Sequence, residues 1–264
     1  MNILKRIRAK LQLWYKFYKV VANFYTVLWY RAVGLFRLNK IIRYDAFVFL
    51  KNGTRLYYGN LVDKSTVPAV VEVWQEQVYT PAGFSIEPTD IVFDIGANIG
   101  NFSLFAAQRT HGLIYAFEPM PQNFAALQRN IQLSNASNIV PVGKAVTGRD
   151  GSVTMHVSDV SSAHSVTHEL FGRGKTLEVP CVTLDTFCRE NRVPRIDFLK
   201  IDCEGAEFEI ILGLSEDLTS RIGKIIMEHH ERYMHGDHRN IMSFLEKRGF
   251  KVREFEEQYI SAMK

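Results

Sequence analysis

The stretch that decides the fold reads IVFDIGANIG and covers residues 91–100. It begins as an apolar run, which predicts a buried strand, and a helical pattern follows from Asn101. Gly96 and Gly100 allow a tight turn and a close approach of the backbone to a nucleotide-like ligand. Asp94 adds a negative charge at the mouth of this turn. Because pyrophosphate groups prefer the N–H groups of a helix N-terminus, this acid favours a phosphate-free cofactor with a cationic amino-acid end over a dinucleotide.

From residue 90 onward, short apolar runs alternate with helical patterns. The alternation is typical of an α/β fold with a doubly wound, mostly parallel sheet. Such sheets bind ligands beyond the carboxyl ends of their strands, so the residues that end each strand form the candidate site. The predicted strands are residues 91–93, 113–117, 139–142, 198–201 and 225–227. The predicted helices are residues 101–109, 122–134, 185–191, 206–212 and 239–248.

The ends of the second and third predicted strands carry candidate cofactor-binding residues. Glu118, followed by Pro119, lies 24 residues after Asp94. An acid at this distance is placed to accept hydrogen bonds from ribose hydroxyls. Either NAD or S-adenosylmethionine would satisfy it. Ala145 follows the third strand and is expected near an adenine by topology alone.

The fourth predicted strand ends at Asp202 and Glu204, and the fifth at Glu228 and His229. Paired carboxylates at a cleft edge can orient a substrate hydroxyl, accept its proton or hold an ammonium group. Histidine titrates near neutral pH and can serve as a general base when a carboxylate orients it. Asp202, Glu228 and His230 could instead bind a divalent metal, and the spacing leaves both roles open.

Three motifs occur in order at the ends of successive predicted strands. They are Asp94-x-Gly96-Ala97-Asn98-x-Gly100, Phe117-Glu118-Pro119 and Lys200-x-Asp202-x-Glu204-Gly205-Ala206-Glu207. With Glu228 closing the next strand, residues 90–255 resemble the FkbM-type family of S-adenosylmethionine-dependent methyltransferases. The resemblance implies a Rossmann-like class I methyltransferase domain over residues 90–264. It also implies S-adenosyl-L-methionine as cofactor and methyl transfer to oxygen on sugars, polyketides and other secondary metabolites.

The resemblance also assigns roles by position. The implied reaction is an in-line displacement at a sulfonium methyl, so the enzyme contributes mainly proximity and deprotonation of the acceptor. By position, the loop from Asp94 to Gly100 would hold the methionine end, Glu118 the ribose, and Asp202 the cleft opposite the methyl group. Placement at strand ends, not the resemblance, predicts that Asp202 or His229 accepts the proton and that Glu204 and Glu228 orient groups around it. A divalent metal as a second cofactor is left open. The expected cofactor contacts are Asp94, Gly96, Asn98, Gly100, Glu118, Pro119, Ala145, Ser162 and Asp202.

Charge divides the chain into two parts. Residues 1–44 carry ten Lys and Arg and no Asp or Glu, which leaves 22 basic and 28 acidic residues, a balance of −6, for the remainder. A basic segment on an acidic body points to an anionic partner for the segment.

The composition, 47% hydrophobic and 23% charged, excludes disordered and collagen-like proteins. Three cysteines without a CxxC pair support neither a disulfide framework nor a zinc ribbon.

The sequence of residues 1–43 predicts one basic, aromatic, amphipathic helix. This helix would contain about 30 residues and be about 45 Å long. Residues 44–89 are expected to form a lead-in layer, with strands at 46–50 and 55–59 and a helix at 68–79. No apolar run is long enough to span a bilayer. Aromatic rings with basic side chains opposite suit the surface of an anionic membrane. The alternative is docking on the protein's own domain or on a second subunit.

These observations predict a membrane-associated O-methyltransferase for a hydroxyl of a glycan, glycolipid, other lipid-linked or small-molecule acceptor. The expected location is the cytoplasm, because the cysteine content favours a reducing compartment, with peripheral attachment to the membrane. Nucleic acid is not an expected partner, since the basic residues lie away from the cleft motifs, and a homo-oligomer is left open. The alternatives are an NAD-dependent oxidoreductase, disfavoured by a missing third glycine, and a non-catalytic S-adenosylmethionine-binding protein.

Overall fold

The computed structural model describes residues 3–35, 45–59, 63, 65–157, 176–203, 205–229, 237–256 and 258–264. Helices and strands alternate along most of this part of the chain. The helices are α1 (Ile3–Val20), α2 (Phe24–Leu35), α3 (Thr66–Val71), α4 (Asn101–Ala107), α5 (Pro121–Ser134), α6 (Leu184–Glu190), α7 (Glu207–Leu212), α8 (Glu216–Ser220) and α9 (His238–Lys247). A π-helical turn, Glu72–Glu76, continues directly from α3.

The strands form a central sheet of seven and two smaller sheets. They are β1 (Ala46–Phe49), β2 (Arg55–Gly59), β3 (Val92–Ile95), β4 (Ile114–Phe117), β5 (Ile139–Val142), β6 (Ala145–Val146), β7 (Gly151–His156), β8 (Thr176–Val182), β9 (Ile196–Ile201), β10 (Ile222–Glu228), β11 (Lys251–Phe255) and β12 (Tyr259–Met263). The central order is β11-β12-β10-β9-β3-β4-β5, and β12 runs antiparallel to both of its neighbours. The pairs between β10, β9, β3, β4 and β5 are all parallel. This arrangement confirms the doubly wound, mostly parallel α/β fold.

The strand order places the candidate site at the junction of β3 and β9. From β3 the chain proceeds to β4 and β5 on one side and later returns to β9 on the other side. The loops that follow β3 and β9 therefore diverge, and a crevice opens between them at the carboxyl edge of the sheet.

Burial on both faces explains why the central strands are recognisable in the sequence. Every residue of β3 and β4 is buried, because helices cover both faces of the sheet. The sequence therefore shows uninterrupted apolar runs at these positions. The predicted strands 91–93, 113–117 and 139–142 overlap β3, β4 and β5, and the predicted helices overlap α4, α5, α6, α7 and α9.

Two parts of the body were missed from the sequence. One is the three-stranded sheet in the order β6-β8-β7, and the other is the antiparallel pair β11 and β12. The residues of β7 and β11 are mostly exposed or half-buried and many are polar, as in the KVREF sequence of β11. A strand with this composition has no apolar run to mark it.

The N-terminal segment differs from its prediction as one long helix. It forms α1 and α2, separated by a break at Val21–Asn23, so the single helix is wrong. Asn23 fixes the break, because its side-chain amide donates to the Phe47 carbonyl and its Oδ1 accepts the Phe49 N–H, both at 2.8 Å. The amide thus ties the segment to β1.

The helices α1 and α2 dock on their own chain. Phe17, Val21 and Val27 are buried in the core shared with β1, β2 and α3, whereas Leu11 and Tyr25 are exposed. Among the described residues, no helix has both the length and the apolar character needed to cross a bilayer.

Candidate active site

The loop after β3 lies against the end of β9 at Gly96, where no side chain would fit. Gly96 has φ +77°, and a Cβ there would fall 1.8 Å from the Asp202 carbonyl oxygen. Gly100 has φ +92°, and its Cβ would meet Leu127 Cδ1 at 2.7 Å. The N–H groups of Gly96 and Ala97 donate to the Phe117 carbonyl at 3.1 and 2.9 Å, which ties the loop to β4. Both glycines are thus favoured by their positive φ, and Gly96 is also required by its close approach to the Asp202 backbone.

Glu118 is buried where the loop after β3 meets the loop after β4. Its Oε2 accepts the Asn98 N–H at 2.9 Å, and its Oε1 accepts the Met120 N–H at 2.8 Å. Burial raises the pKa of Glu118 to about 7, although these hydrogen bonds act in the opposite direction. Ala145 packs in the same small apolar cluster as Met120, next to Pro119 in the sequence. These predicted residues are therefore close together.

Asp94 is buried below the loop, and its charge does not lie at the mouth of the site. Its carboxylate accepts a hydrogen bond from Ser103 Oγ at 2.6 Å and pairs with Lys200 Nζ at 3.0 Å. Lys200 also donates to the carbonyls of Ile95 and Gly96 at 3.3 and 3.1 Å. The expected position of Asp94 is thus corrected, because the fully buried carboxylate requires a cationic partner.

Lys200 was not singled out from the sequence as a site residue. Burial lowers its pKa, but the charges of Asp94 and Asp202 outweigh burial, so the net pKa is raised. Its ammonium group therefore stays charged and links the ends of β3 and β9. Its position in the motif Lys200-x-Asp202 is the signal that could have identified it, because residues two apart on a strand point to the same face and Asp202 was already assigned to the cleft.

Asp202 lies at the edge of the crevice and contacts the lead-in layer. Its Oδ2 accepts a hydrogen bond from the Tyr79 hydroxyl at 2.8 Å and lies 3.7 Å from Lys200 Nζ. Its side chain is 26% exposed, which leaves the carboxylate open to a ligand. Burial, followed by the charges of Asp202 and Glu228, raises the pKa of Tyr79 well above its usual value. Tyr79 therefore remains a hydroxyl donor.

Two further acids share this environment. Burial raises the pKa of Glu72 to about 7, and the charges of Asp202 and Glu76 add to the effect. Glu228 pairs in register with Tyr259 across β10 and β12. The pKa of Tyr259 is raised, mainly by burial and then by the negative charges of Glu228 and Glu72. Asp202, Glu228 and Glu72 thus make the β9–β10 side of the crevice strongly acidic.

His229 occupies a position that does not suit its predicted role as general base. Its side chain is 2% exposed and its ring stacks on His238, with centroids 4.6 Å apart. Its Nε2 faces Glu254 at 3.7 Å. An acceptor hydroxyl cannot reach a ring that is covered in this way, so the burial of His229 rules out its predicted role as base. The predicted residues Glu204, Ser162 and His230 lie outside the described residues.

The fold and the glycine loop define a class I methyltransferase that uses S-adenosylmethionine. Residues 94–252 match the model of the methyltransferase FkbM domain, and the chain belongs to this family. Family membership removes the NAD-dependent oxidoreductase as an alternative. The residues fit the cofactor, because Glu118 directly follows β4 as a buried acid and its two oxygens hold the loops after β3 and β4 together.

Several proteins similar to this chain are named as methyltransferases. The chain is 27% identical to 31-O-demethyl-FK506 methyltransferase FkbM of Streptomyces tacrolimicus, over 69% of this chain and 80% of the relative. It is 24% identical to hexuronic acid methyltransferase AglP of Haloferax volcanii, over 62% and 69%. Among solved structures, TYW2 of M. jannaschii in complex with AdoMet matches with a TM-score of 0.47 and 14% identity, over 84% of this chain and 86% of that one.

We expect Gly96→Ala to weaken S-adenosylmethionine binding at least tenfold and to lower the free energy of unfolding by about 2–4 kcal/mol. The added Cβ meets a backbone carbonyl, and the residue must also hold a positive φ. Gly53→Ala is the matched control, because Gly53 has φ +91° but open space around it, so only the conformational cost of about 1–2 kcal/mol applies. Calorimetric titration and urea unfolding measure both quantities. Equal effects of the two substitutions would contradict the close approach.

Proposed function

We propose that the chain transfers a methyl group from S-adenosylmethionine to a hydroxyl of a glycan, glycolipid, or other lipid-linked or secondary-metabolite acceptor at a membrane surface. The observation that carries the proposal is Asp202, a partly exposed carboxylate at the crevice edge that Tyr79 orients at 2.8 Å. Relatives named for hydroxyl-bearing acceptors support the reaction type, among them hexuronic acid methyltransferase AglP and 2-O-methyltransferase NoeI of Sinorhizobium fredii.

The cofactor site is proposed on the β3 and β4 side of the crevice. The loop from Gly96 to Gly100 would hold the methionine end, and Glu118 would accept hydrogen bonds from the ribose hydroxyls. Pro119 and Ala145 would border the adenine. The acids Asp202 and Glu228 would offset the positive charge of the bound cofactor, which supplies an electrophilic methyl group.

The proton of the acceptor hydroxyl is proposed to go to Asp202. Its carboxylate is accessible, and the hydrogen bond from Tyr79 fixes its orientation. Glu72 is a second proton acceptor, because its pKa of about 7 matches the operating pH of a general base. Glu228 is assigned an orienting role, and the same role is proposed for Glu204.

Asp202→Asn tests the assignment of the base. We expect turnover to fall about 100-fold or more, because general base catalysis contributes about 10²–10⁴ in rate. The affinity for S-adenosylhomocysteine should change less than threefold. Methyl transfer from radiolabelled cofactor into glycan and lipid extracts measures turnover, and Asp217→Asn, at an exposed acid of α8, is the control. Full turnover of Asp202→Asn would refute the assignment, and cofactor binding without transfer to any extract would favour a non-catalytic protein.

The pH dependence of cofactor binding tests the role of Glu118. With a pKa of about 7, its carboxylate is mostly protonated at pH 6 and mostly ionised at pH 8. Only the ionised form offers all of its lone pairs to hydroxyl donors. We therefore expect the affinity for S-adenosylhomocysteine to rise up to about tenfold from pH 6 to pH 8. Glu118→Gln should bind more weakly and lose this rise, and a variant with the wild-type pH profile would contradict the role.

Membrane attachment is proposed through the surface of α1 and α2 that faces away from the core. This surface, called here the exposed aromatic face, consists of Ile7, Leu11, Tyr15, Tyr18, Tyr25, Leu28 and Trp29. It lies on a segment that carries basic residues and no acidic residue. Charge complementarity favours an anionic lipid surface, where rings sit at the headgroup level and ammonium groups meet phosphates. We retain residues 1–43 as the attachment segment, 44–89 as the lead-in layer and 90–264 as the methyltransferase domain.

Point substitutions test attachment better than truncation, because deleting residues 1–40 would also remove Phe17, Val21 and Val27 from the core. We expect Leu11→Glu to reduce binding to vesicles of phosphatidylglycerol and phosphatidylcholine about tenfold, through lost burial and added repulsion. Leu113→Glu is the matched control, since Leu113 is also exposed, at 44% against 66% for Leu11, but lies on the body. Co-sedimentation measures binding. Equal binding of the wild type to neutral and anionic vesicles would overturn the proposal. Failure of the wild type to bind any vesicle would also overturn it, and dimers in light scattering would then indicate that the segment docks on a second subunit.

A further inference from the structure

Two histidines and a glutamate from three different elements converge beside β10. His229 follows β10, His238 is the first residue of α9, and Glu254 lies on β11. Their ligand-type atoms all lie within 4.8 Å of one another. Within the part of the chain that the structure describes, no other group of three His, Cys, Asp or Glu side chains is arranged in this way. None of the three belongs to the cofactor or proton-accepting residues assigned above.

We propose that His229, His238 and Glu254 form a binding site for a divalent cation of the zinc class. The Nε2 atoms of His229 and His238 face the two oxygens of Glu254 at 3.7 and 3.5 Å. Ligands that share a tetrahedral ion through bonds of about 2.1 Å are about 3.4 Å apart, so the observed separations are close to those of a closed site.

The chemistry of the three ligands selects the metal. Two imidazole nitrogens and one carboxylate are a ligand set of zinc sites that keep a fourth position for water. Magnesium and calcium prefer oxygen ligands, so these two ions are poor candidates here. Glu254 is 37% exposed, which gives an ion a path from solvent to the two covered imidazoles.

The surroundings of the cluster support metal coordination. Asp237 Oδ1 lies 3.6 Å from His238 Nδ1, on the other side of the ring from Glu254. A carboxylate in this position favours the tautomer that leaves Nε2 available to an ion. The two rings are 12° from parallel, so binding requires each to tilt about its Cβ–Cγ bond, a torsion with a broad minimum.

A bound ion would connect β10, β11 and the first turn of α9 at the carboxyl edge of the sheet. His229 directly follows Glu228, and His229 and His238 lie on either side of positions 230–237. The ion would therefore fix both ends of the chain segment that leaves β10. Its role is positional, and it is separate from the methyl transfer proposed above.

Metal retention by the full chain, with any affinity tag removed, tests the site. After treatment with a chelator, the protein is dialysed against Zn²⁺, Co²⁺ or Mg²⁺, and bound metal is measured by mass spectrometry. We expect one Zn²⁺ per chain, the visible absorption of four-coordinate Co²⁺, and no retained Mg²⁺. His238→Ala and Glu254→Gln should each weaken Zn²⁺ binding at least tenfold. The controls His111→Ala and Glu246→Gln, at exposed positions, should retain it.

Three results would overturn the site: no Zn²⁺ retained by the wild type, equal retention by the variants, or equal retention of Mg²⁺. Circular dichroism and S-adenosylhomocysteine affinity establish that each variant is folded. Glu254→Gln preserves side-chain shape at a partly exposed position of the edge strand β11, so its result decides the test if His238→Ala does not fold. Because cofactor affinity is measured separately, a failure of this site and a failure of the methyltransferase assignment are distinguishable.

Discussion

The buried ion pair between Asp94 and Lys200 is the constraint on which the rest of the site depends. It joins β3 and β9 at the point where the strand order reverses, with Nζ and Oδ1 3.0 Å apart and both side chains almost fully buried. Loss of one partner would leave an uncompensated charge, at a cost of about 3–5 kcal/mol. Lys200 also holds the carbonyls of Ile95 and Gly96, so the ion pair and the glycine turn form a single unit.

This arrangement explains how several acids can lie close together at one edge of the sheet. Lys200 neutralises Asp94 directly and lies 3.7 Å from Asp202. Burial, followed by the charges of Asp202 and Glu76, raises the pKa of Glu72 to about 7. This edge of the sheet therefore carries one acid fixed in an ion pair below the loop, one accessible acid at the crevice edge and one that titrates near neutral pH. A methyltransferase can use such a graded set, because binding a cationic cofactor and accepting a proton place different demands on a carboxylate.

The sequence predicted the parallel strands well because β3, β4 and β9 are buried on both faces and read as apolar runs. It also identified Gly96, Gly100, Glu118 and Asp202 as strand-end residues that the fold brings together. Tyr79 could not be found in this way, since it reaches Asp202 from 123 residues earlier in the chain.

Contacts of this long-range kind also explain the errors. The break between α1 and α2 depends on a side-chain amide that bonds to β1, and the position of His229 depends on stacking against α9. Periodicity and spacing describe an element by itself, so they miss any feature that a distant partner imposes. Gly53 and Gly96 illustrate this limit. Both have a positive φ, but only Gly96 lies against backbone that is distant in the sequence, at Asp202.

The lead-in layer connects the two functional proposals physically. Glu76, at the end of the π-helical turn, forms an ion pair with Lys16 of α1, while Glu72, at its start, lies in the electrostatic environment of Asp202. A π-helical turn is rare and frequently marks a functional site. Here a turn of five residues connects the segment proposed to bind lipid with Glu72, one of the carboxylates proposed to accept the proton. In the proposed membrane-bound state, the orientation of α1 on the lipid would therefore fix the orientation of the crevice, because α1, the turn and α4 share one packed core.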